Sequence, residues 1–343
     1  MTNEKTIRSI ERYERDSIIS ESTKGLKTAI KIILGSVLFI IILTVYSVCS
    51  SVYNINIYAG HIVLIIFIAA ILYFFITPVY KLIKKSYFIL DYDETTVKKV
   101  NEHNDKVIIS MAENIVNLSE NIEGESWYDK IVVEELKKHL SNNDIVSLRI
   151  SMTQMINTSI RKKSNDIIIK WAVKTGVLTA ISQSDVIDSV FVVIINLLLV
   201  KDLVFLYGFR YSAFRLLKTF IGVFVSAATA YGLQNANLGK NLLSVASGIL
   251  RKLGRSISVP TTVLTSAIEV VADSGAQGMG NALMTAFIGY QAIGYLNKEY
   301  SLQNELKGID LLDEDYEFKE TVNEIKKGMK EELNNANKNK KNA

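Results

Sequence analysis

The residues with the best claim to chemistry are three histidines, one cysteine and one Gly-Lys pair, and none falls in a catalytic pattern. Gly239-Lys240-Asn241 looks like the end of a phosphate-binding loop. It lacks the Gly five residues before Gly239 and the hydroxyl residue after Lys240 that would ligate magnesium. No His-Glu-x-x-His and no Gly-x-Ser-x-Gly occurs. Cys49 stands alone, so neither a disulfide nor a cysteine-rich metal site can form within the chain. His61 lies at the edge of an apolar run and reads as an interfacial residue, with a proton or metal role as the lesser reading. His103 reads as part of a solvated helix face. His139 falls at a helix end, where positive charge is favoured. These residues lead to the expectation of no catalytic residue, no cofactor and no metal.

The elements that would carry such residues are helical. The only prolines among 343 residues are Pro78 and Pro260, and no run of alternating strands with Asn-Gly or Asp-Gly turns is present. The formal net charge of +4 gives no basis for nucleic-acid binding. Charge is most positive in residues 181–300, with nine Lys/Arg against six Asp/Glu, and turns acidic after 300.

No Asp, Glu, Lys or Arg lies between Lys31 and Lys81. Ile32 to Val52 forms one apolar run, about 31 Å long as a helix, which matches a bilayer core. A second run extends from about Tyr58 to Tyr80, and Tyr53-Asn54-Ile55-Asn56-Ile57 between them allows only a tight turn. Backbone groups in lipid must be paired internally, so both runs are expected to be helices. Lys5, Arg8, Arg12, Arg15, Lys24, Lys27 and Lys31 precede the pair, and Lys81, Lys84 and Lys85 follow it. The positive-inside rule then puts both termini in the cytoplasm of a two-span protein. A cleaved signal peptide is excluded by the charged segment of about 31 residues ahead of the first run.

From Val97 the residues Val100, Val107, Met111, Ile115, Leu118 and Ile122 recur at steps of three and four, with Asn104 at one seam position. This spacing predicts an amphipathic helix, broken at Glu123-Gly124-Glu125-Ser126. A second helix is expected from Trp127 to His139. A third runs from Ile145 to about Ile160, capped by Ser141-Asn142-Asn143-Asp144 and closed by Arg161-Lys162-Lys163. Asp166 opens a fourth, reaching Ile181. The region reads as a helical spacer, or as an arm that binds a partner.

Residues 181–300 hold four long, charge-poor segments: Val186–Leu206, Phe214–Leu233, Ser256–Val271 and Ala276–Leu296. The clean apolar part of the first is about twelve residues, short for a membrane span and suited to a buried core helix. Small residues crowd the uncharged stretch Ser274–Asn297 that holds the last segment, among them Gly275, Gly278, Gly280, Gly289 and Gly294, which permits close backbone approach. A compact bundle around a buried central helix is expected, with helices dipping into the membrane surface as the alternative. Gly208 reads as a helix C-cap. Asp188, Asp202, Arg210 and Arg215 are placed to form ion pairs across the first two helices. Arg251, Lys252 and Arg255 form a basic cluster suited to anionic lipid or to a solvated loop. The tail is expected to hold an acidic amphipathic helix from Asp310 to Glu332, with the Asn/Lys tract from Asn334 to Ala343 disordered.

Ser182-Gln183-Ser184-Asp185-Val186-Ile187-Asp188, then Leu206-Tyr207-Gly208-Phe209 and Tyr211-Ser212-Ala213-Phe214-Arg215-Leu216-Leu217-Lys218, resemble the YcjF family. So does Ala276-Gln277-Gly278-Met279-Gly280, followed by Leu283-Met284-Thr285-Ala286 and Ile288-Gly289. The resemblance covers about residues 175–300, and more loosely the paired apolar runs. Gln183 departs from it, since family members usually carry Pro there, and this chain adds over forty residues after the last helix. The resemblance implies a bacterial inner-membrane protein without established activity, whose related domains accompany small GTPases. Asp185, Asp188, Tyr207, Gly208, Arg215, Gln277, Gly278 and Gly280 are the structural or partner-binding candidates.

The expected fold is all-α: a cytoplasmic N-terminal tail (1–27), a transmembrane helical hairpin (28–82), an amphipathic helical region (91–180), a YcjF-like cytoplasmic helical bundle (181–300) and a tail (301–343). The expected function is non-enzymatic, an adaptor or scaffold in the inner membrane that recruits a cytoplasmic partner such as a GTPase. The alternative is a membrane-remodelling or pore-forming protein. The lipid bilayer is the expected contact, self-association stays open, and any GTP chemistry would come from the partner.

Overall fold

The computed structural model describes residues 49–50, 52–54, 56–90, 97–120, 127–181, 185–212, 215, 216, 219, 220, 223, 277–305 and 318–341. All regular structure among them is helical. The helices are α1 (Ile57–Ile71), α2 (Thr77–Lys84), α3 (Val97–Glu120), α4 (Lys130–Ser141), α5 (Ile145–Met155), α6 (Arg161–Ile181), α7 (Asp185–Tyr207), α8 (Gln277–Glu305) and α9 (Phe318–Lys341). Most of the first apolar run, most of Phe214–Leu233, all of Ser256–Val271 and the cluster Arg251, Lys252 and Arg255 lie outside the described residues.

Local chemistry starts the helices. The Asn56 side chain accepts hydrogen bonds from the backbone N–H of Tyr58 and Ala59, at 2.9 and 3.2 Å, and so begins α1. The Tyr53 ring fills the space beside Gly60, where a Cβ would stand only 2.5 Å from it, and its hydroxyl meets His61 Nδ1 at 2.7 Å. A π-helical turn, Leu72–Ile76, joins α1 to α2. It directly precedes Pro78, which removes one backbone donor and crowds the preceding turn. Asp129 caps α4 and Asp144 caps α5.

The sequence predicts separate helices over Ile145–Ile160 and Asp166–Ile181, but the chain is helical without interruption from Ile145 to Ile181. The π turn Ile156–Ile160 carries it directly into α6. Basic residues favour a helix end without enforcing one, and no Gly or Pro falls before Gly176 to stop propagation. The expected second helix, Trp127–His139, begins instead at Lys130, behind the Asp129 cap. The last helix runs on to Lys341, well past Glu332, so residues 334–341 are helical where composition predicts disorder.

The core is built on α8, which is buried along nearly its whole length. Its longest partner is α6, and the two are antiparallel. Gly278 sits against Gly176 and Ala180, Thr285 bonds Thr175, and Tyr290 bonds Asn165. α7 packs on both, with Trp171 Nε1 donating to Asp202 at 2.9 Å and Tyr207 bonding Asn297. α9 lies on α6, and α3, α4 and α5 pack on one another. The division expected at residue 180 therefore falls between two helices of one core.

Among the described helices, one is long and apolar enough to cross a membrane, over Val190–Tyr207 in α7, and 61% of that stretch is buried. The apolar part of α1, Ile57–Ala70, is shorter. The two-span hairpin thus rests on the sequence, its first run lying outside the described residues.

Candidate functional site

The residues after α2 do not form a loose linker. The backbone turns extended at Lys85, and residues 86–90 lie across the bundle. Arg210 N–H donates to the Ser86 carbonyl at 2.8 Å. Asn104 grips Ile89 at both backbone groups, accepting from its N–H at 2.9 Å and donating to its carbonyl at 2.7 Å. The same Asn104 amide reaches Gln303 on α8. An amide at an otherwise apolar seam is thus satisfied by an extended segment, as burial requires. Phe88 is buried between Phe209 and Tyr300, with ring centroids 4.8 and 6.4 Å away. His103 is half-buried and donates from Nε2 to the Tyr87 carbonyl at 2.9 Å, so its expected place on a solvated face is corrected.

The end of α7 supplies the corner that receives this strap. Gly208 has φ +83°, and its N–H closes the helix on the Val204 carbonyl at 3.0 Å. A Cβ there would lie 3.1 Å from the Met111 backbone. The left-handed turn and the close approach both call for glycine. Tyr207 is fully buried, and its hydroxyl donates to Asn297 Oδ1 at 2.8 Å.

Beyond the corner lies a buried polar band. Glu299, fully buried on α8, accepts from Ser212 N–H at 2.7 Å and pairs with Arg215 at 3.5 Å. The Arg215 guanidinium also lies 5.7 Å from the Tyr295 ring centre. The Tyr211 hydroxyl donates to Thr219 at 3.0 Å. Burial pushes the Tyr211 phenol well above its ordinary value, against the opposing Thr219 hydrogen bond. Tyr295 and Tyr300 shift the same way, again chiefly through burial. A second buried cation, Arg149, meets Asp105 at 2.7 Å and Asn304 at 3.1 Å.

Of the four residues expected to form ion pairs, Asp202, Arg210 and Arg215 have the following partners. Arg215 takes Glu299, and Asp202 takes its neighbour Lys201 and Trp171. Arg210 donates from Nε to the Ile83 carbonyl and from Nη1 to the Tyr211 carbonyl. Asp188 is buried in α7. Glu299 was not singled out by the sequence reading. Its signal was being the first acidic residue after Asp273, just past the uncharged run.

The candidate residues divide into two groups. Asp185 and Asp188 at the start of α7 share one end of the bundle with Gln277, Gly278 and Gly280 at the start of α8. Tyr207, Gly208 and Arg215 gather at the other end, about 28 Å away along α8. Among the described residues, no three His, Cys, Asp or Glu side chains come together where a metal ion could sit. The second end joins elements: it fastens the apolar helix α1–α2 to α3, α7 and α8 through paired polar groups.

Residues 146–312 match the model of a family described as a domain of unknown function, DUF697. The match begins one residue into α5 and spans α6, α7 and α8, including the whole stretch that resembles the YcjF family. No curated protein and no solved structure matches the chain.

Proposed function

We propose that the chain is a non-enzymatic integral membrane adaptor of the YcjF type, held in a bacterial inner membrane by the hairpin that ends in α2. Its bundle displays a cytoplasmic surface to a protein partner, and a small GTPase is the class the resemblance favours. The observation that carries this reading is the exposed apolar run of Ile57, Tyr58, Ile62, Ile65, Ile66, Ile68, Tyr73, Phe74, Ile76, Tyr80 and Ile83 along α1 and α2. Each such side chain forgoes part of the about 1.5–3 kcal/mol that full burial of a large apolar side chain gives. In α3, α7 and α8 the large apolar side chains instead turn mostly inward. The strap at residues 86–90 supports the adaptor reading further, because it would hold the bundle in a fixed pose against the bilayer.

A pore formed through α7 would require that helix to leave the bundle. That helix buries Asp188 and Asn196 and packs on α2, α6 and α8, so insertion would carry those polar groups into lipid. The test is purification of the full chain from native membranes after crosslinking, with a reporter at Ala343. A cytoplasmic reporter and recovery of a GTP-binding protein are the expected results. An external reporter rejects the topology, and vesicle leakage caused by the purified chain rejects the adaptor reading.

A further inference from the structure

We propose that the corner between α2, the strap and the end of α7 is a seat for the phosphate of an anionic lipid headgroup, held by Lys84, Lys85 and Arg210. The proposal rests on the reading of α1 and α2 as membrane-embedded and adds to it a specific lipid class and a specific site.

Lys84 ends α2, Lys85 follows it and Arg210 is bound to its last turn, and each of the three cations is set over an aromatic ring. Lys84 Nζ lies 4.5 Å from the centre of Tyr80, Lys85 Nζ 4.8 Å from that of Phe205, and the Arg210 guanidinium carbon 4.4 Å from that of Tyr87. Arg210 is bound to the end of α2 through the Ile83 carbonyl and to the strap through the Ser86 carbonyl. The Leu82 carbonyl is likewise occupied, by Lys85 N–H. Two carbonyls of the negative helix end are therefore already paired, which leaves the corner more positive than a bare C-terminus.

Among the described residues, no carboxylate pairs with Lys81, Lys84 or Lys85. Lys85 is half-buried, and that burial lowers its pKa, because desolvation disfavours the charged ammonium. A phosphate oxygen would restore what the ammonium lacks. A lipid fits better than a free phosphate because the corner continues into apolar surface. Tyr80 and Ile83 are exposed on α2 beside it, where acyl chains would lie. Tyr80 and Tyr87 then stand at headgroup depth, the usual place for aromatic rings at a membrane surface.

A basic side chain near an anionic surface contributes about 1 kcal/mol, or roughly a fivefold preference. Three together predict a preference on the order of a hundredfold for phosphatidylglycerol over phosphatidylcholine. The experiment is native mass spectrometry of the full chain in mild detergent, titrated with each lipid. It is run on the parent, on Lys84→Gln/Lys85→Gln/Arg210→Gln, on Lys84→Gln/Lys85→Gln and on the exposed control pair Lys98→Gln/Lys99→Gln. The triple variant should lose the preference, the double variant should lose about 25-fold of it, and the control should keep it. The double variant leaves the Arg210 hydrogen bonds intact, so misfolding of the triple variant does not spoil the test. Retention of the preference by the double variant overturns the proposal. Equal competition by inorganic phosphate overturns the assignment to a lipid. Alkaline carbonate extraction separates the two readings. A chain that stays in the membrane without the preference sinks the lipid site alone, and a chain that is released sinks the membrane reading with it.

Discussion

Gly278→Ala puts one methyl group where α6 and α8 run closest. A Cβ at Gly278 would stand 2.4 Å from the Gly176 carbonyl oxygen and 2.8 Å from the Ala180 Cβ. Both belong to the neighbouring helix, and the first is backbone, which no rotamer change can move. Restoring ordinary contact requires separation of the helices by about 1 Å, which forfeits a quarter to a half of the dispersion energy at the seam. On an isolated helix the same change would stabilise by about 1 kcal/mol, because Ala is the better helix former. The overpacking cost, typically ~1–3 kcal/mol, must exceed that gain for the packing argument to hold. The expected net result is a lower melting temperature, by up to about 3 °C for a chain of this size. Leu at the same position should cost more. Gly328→Ala is the comparison, since its Cβ would meet only a Val173 methyl, at 2.9 Å. That side chain can shift, so the cost should be smaller. Thermal unfolding of the full chain in detergent measures all three. A Gly278→Ala variant that melts at or above the parent refutes the close approach of α6 and α8.

Glu299→Gln keeps an acceptor for Ser212 N–H but leaves Arg215 buried without its counter-charge, and should destabilise by about 3–5 kcal/mol. The paired change Glu299→Leu/Arg215→Met should recover much of that loss in the same melting assay, and failure to do so would show that the band acts through more than this ion pair. Tyr211, Tyr295 and Tyr300 have raised phenol pKa values in the fold, chiefly from burial. Below pH 10 they are protonated in both states. Above it the unfolded chain ionises first, so stability should fall by up to ~1.4 kcal/mol per pH unit for each phenol. Denaturant midpoints measured between pH 9 and 11 check this, and Tyr211→Phe should flatten the slope; a flat parent profile would mean the phenols are not buried in solution.

Features set by neighbours in the chain were legible in the sequence. The amphipathic spacing from Val97 marks α3, the carboxylate of Asp144 caps α5, and Gly208 ends α7 in the left-handed conformation. Each depends on backbone hydrogen bonds and rotamer limits within one or two helical turns, which residue types fix on their own. The small residues at the start of α8 likewise announced that something must pack against them, though not what.

Only the tertiary structure decided which distant groups complete one another. Arg215 could be seen as a charge in need of a partner, but its carboxylate is Glu299, far along the chain and just past a long uncharged run. Asn104 occupies one position of an apolar seam, and the strap at Ile89 gives it two backbone groups to bind. The continuity of α5 into α6 was hidden because a basic cluster resembles a helix end, while the absence of a breaker residue and the packing of α6 along α8 outweigh it. A local signal states what a residue can do with its neighbours. Burial decides whether a polar group must find a partner, and only the packed fold brings that partner within hydrogen-bonding distance.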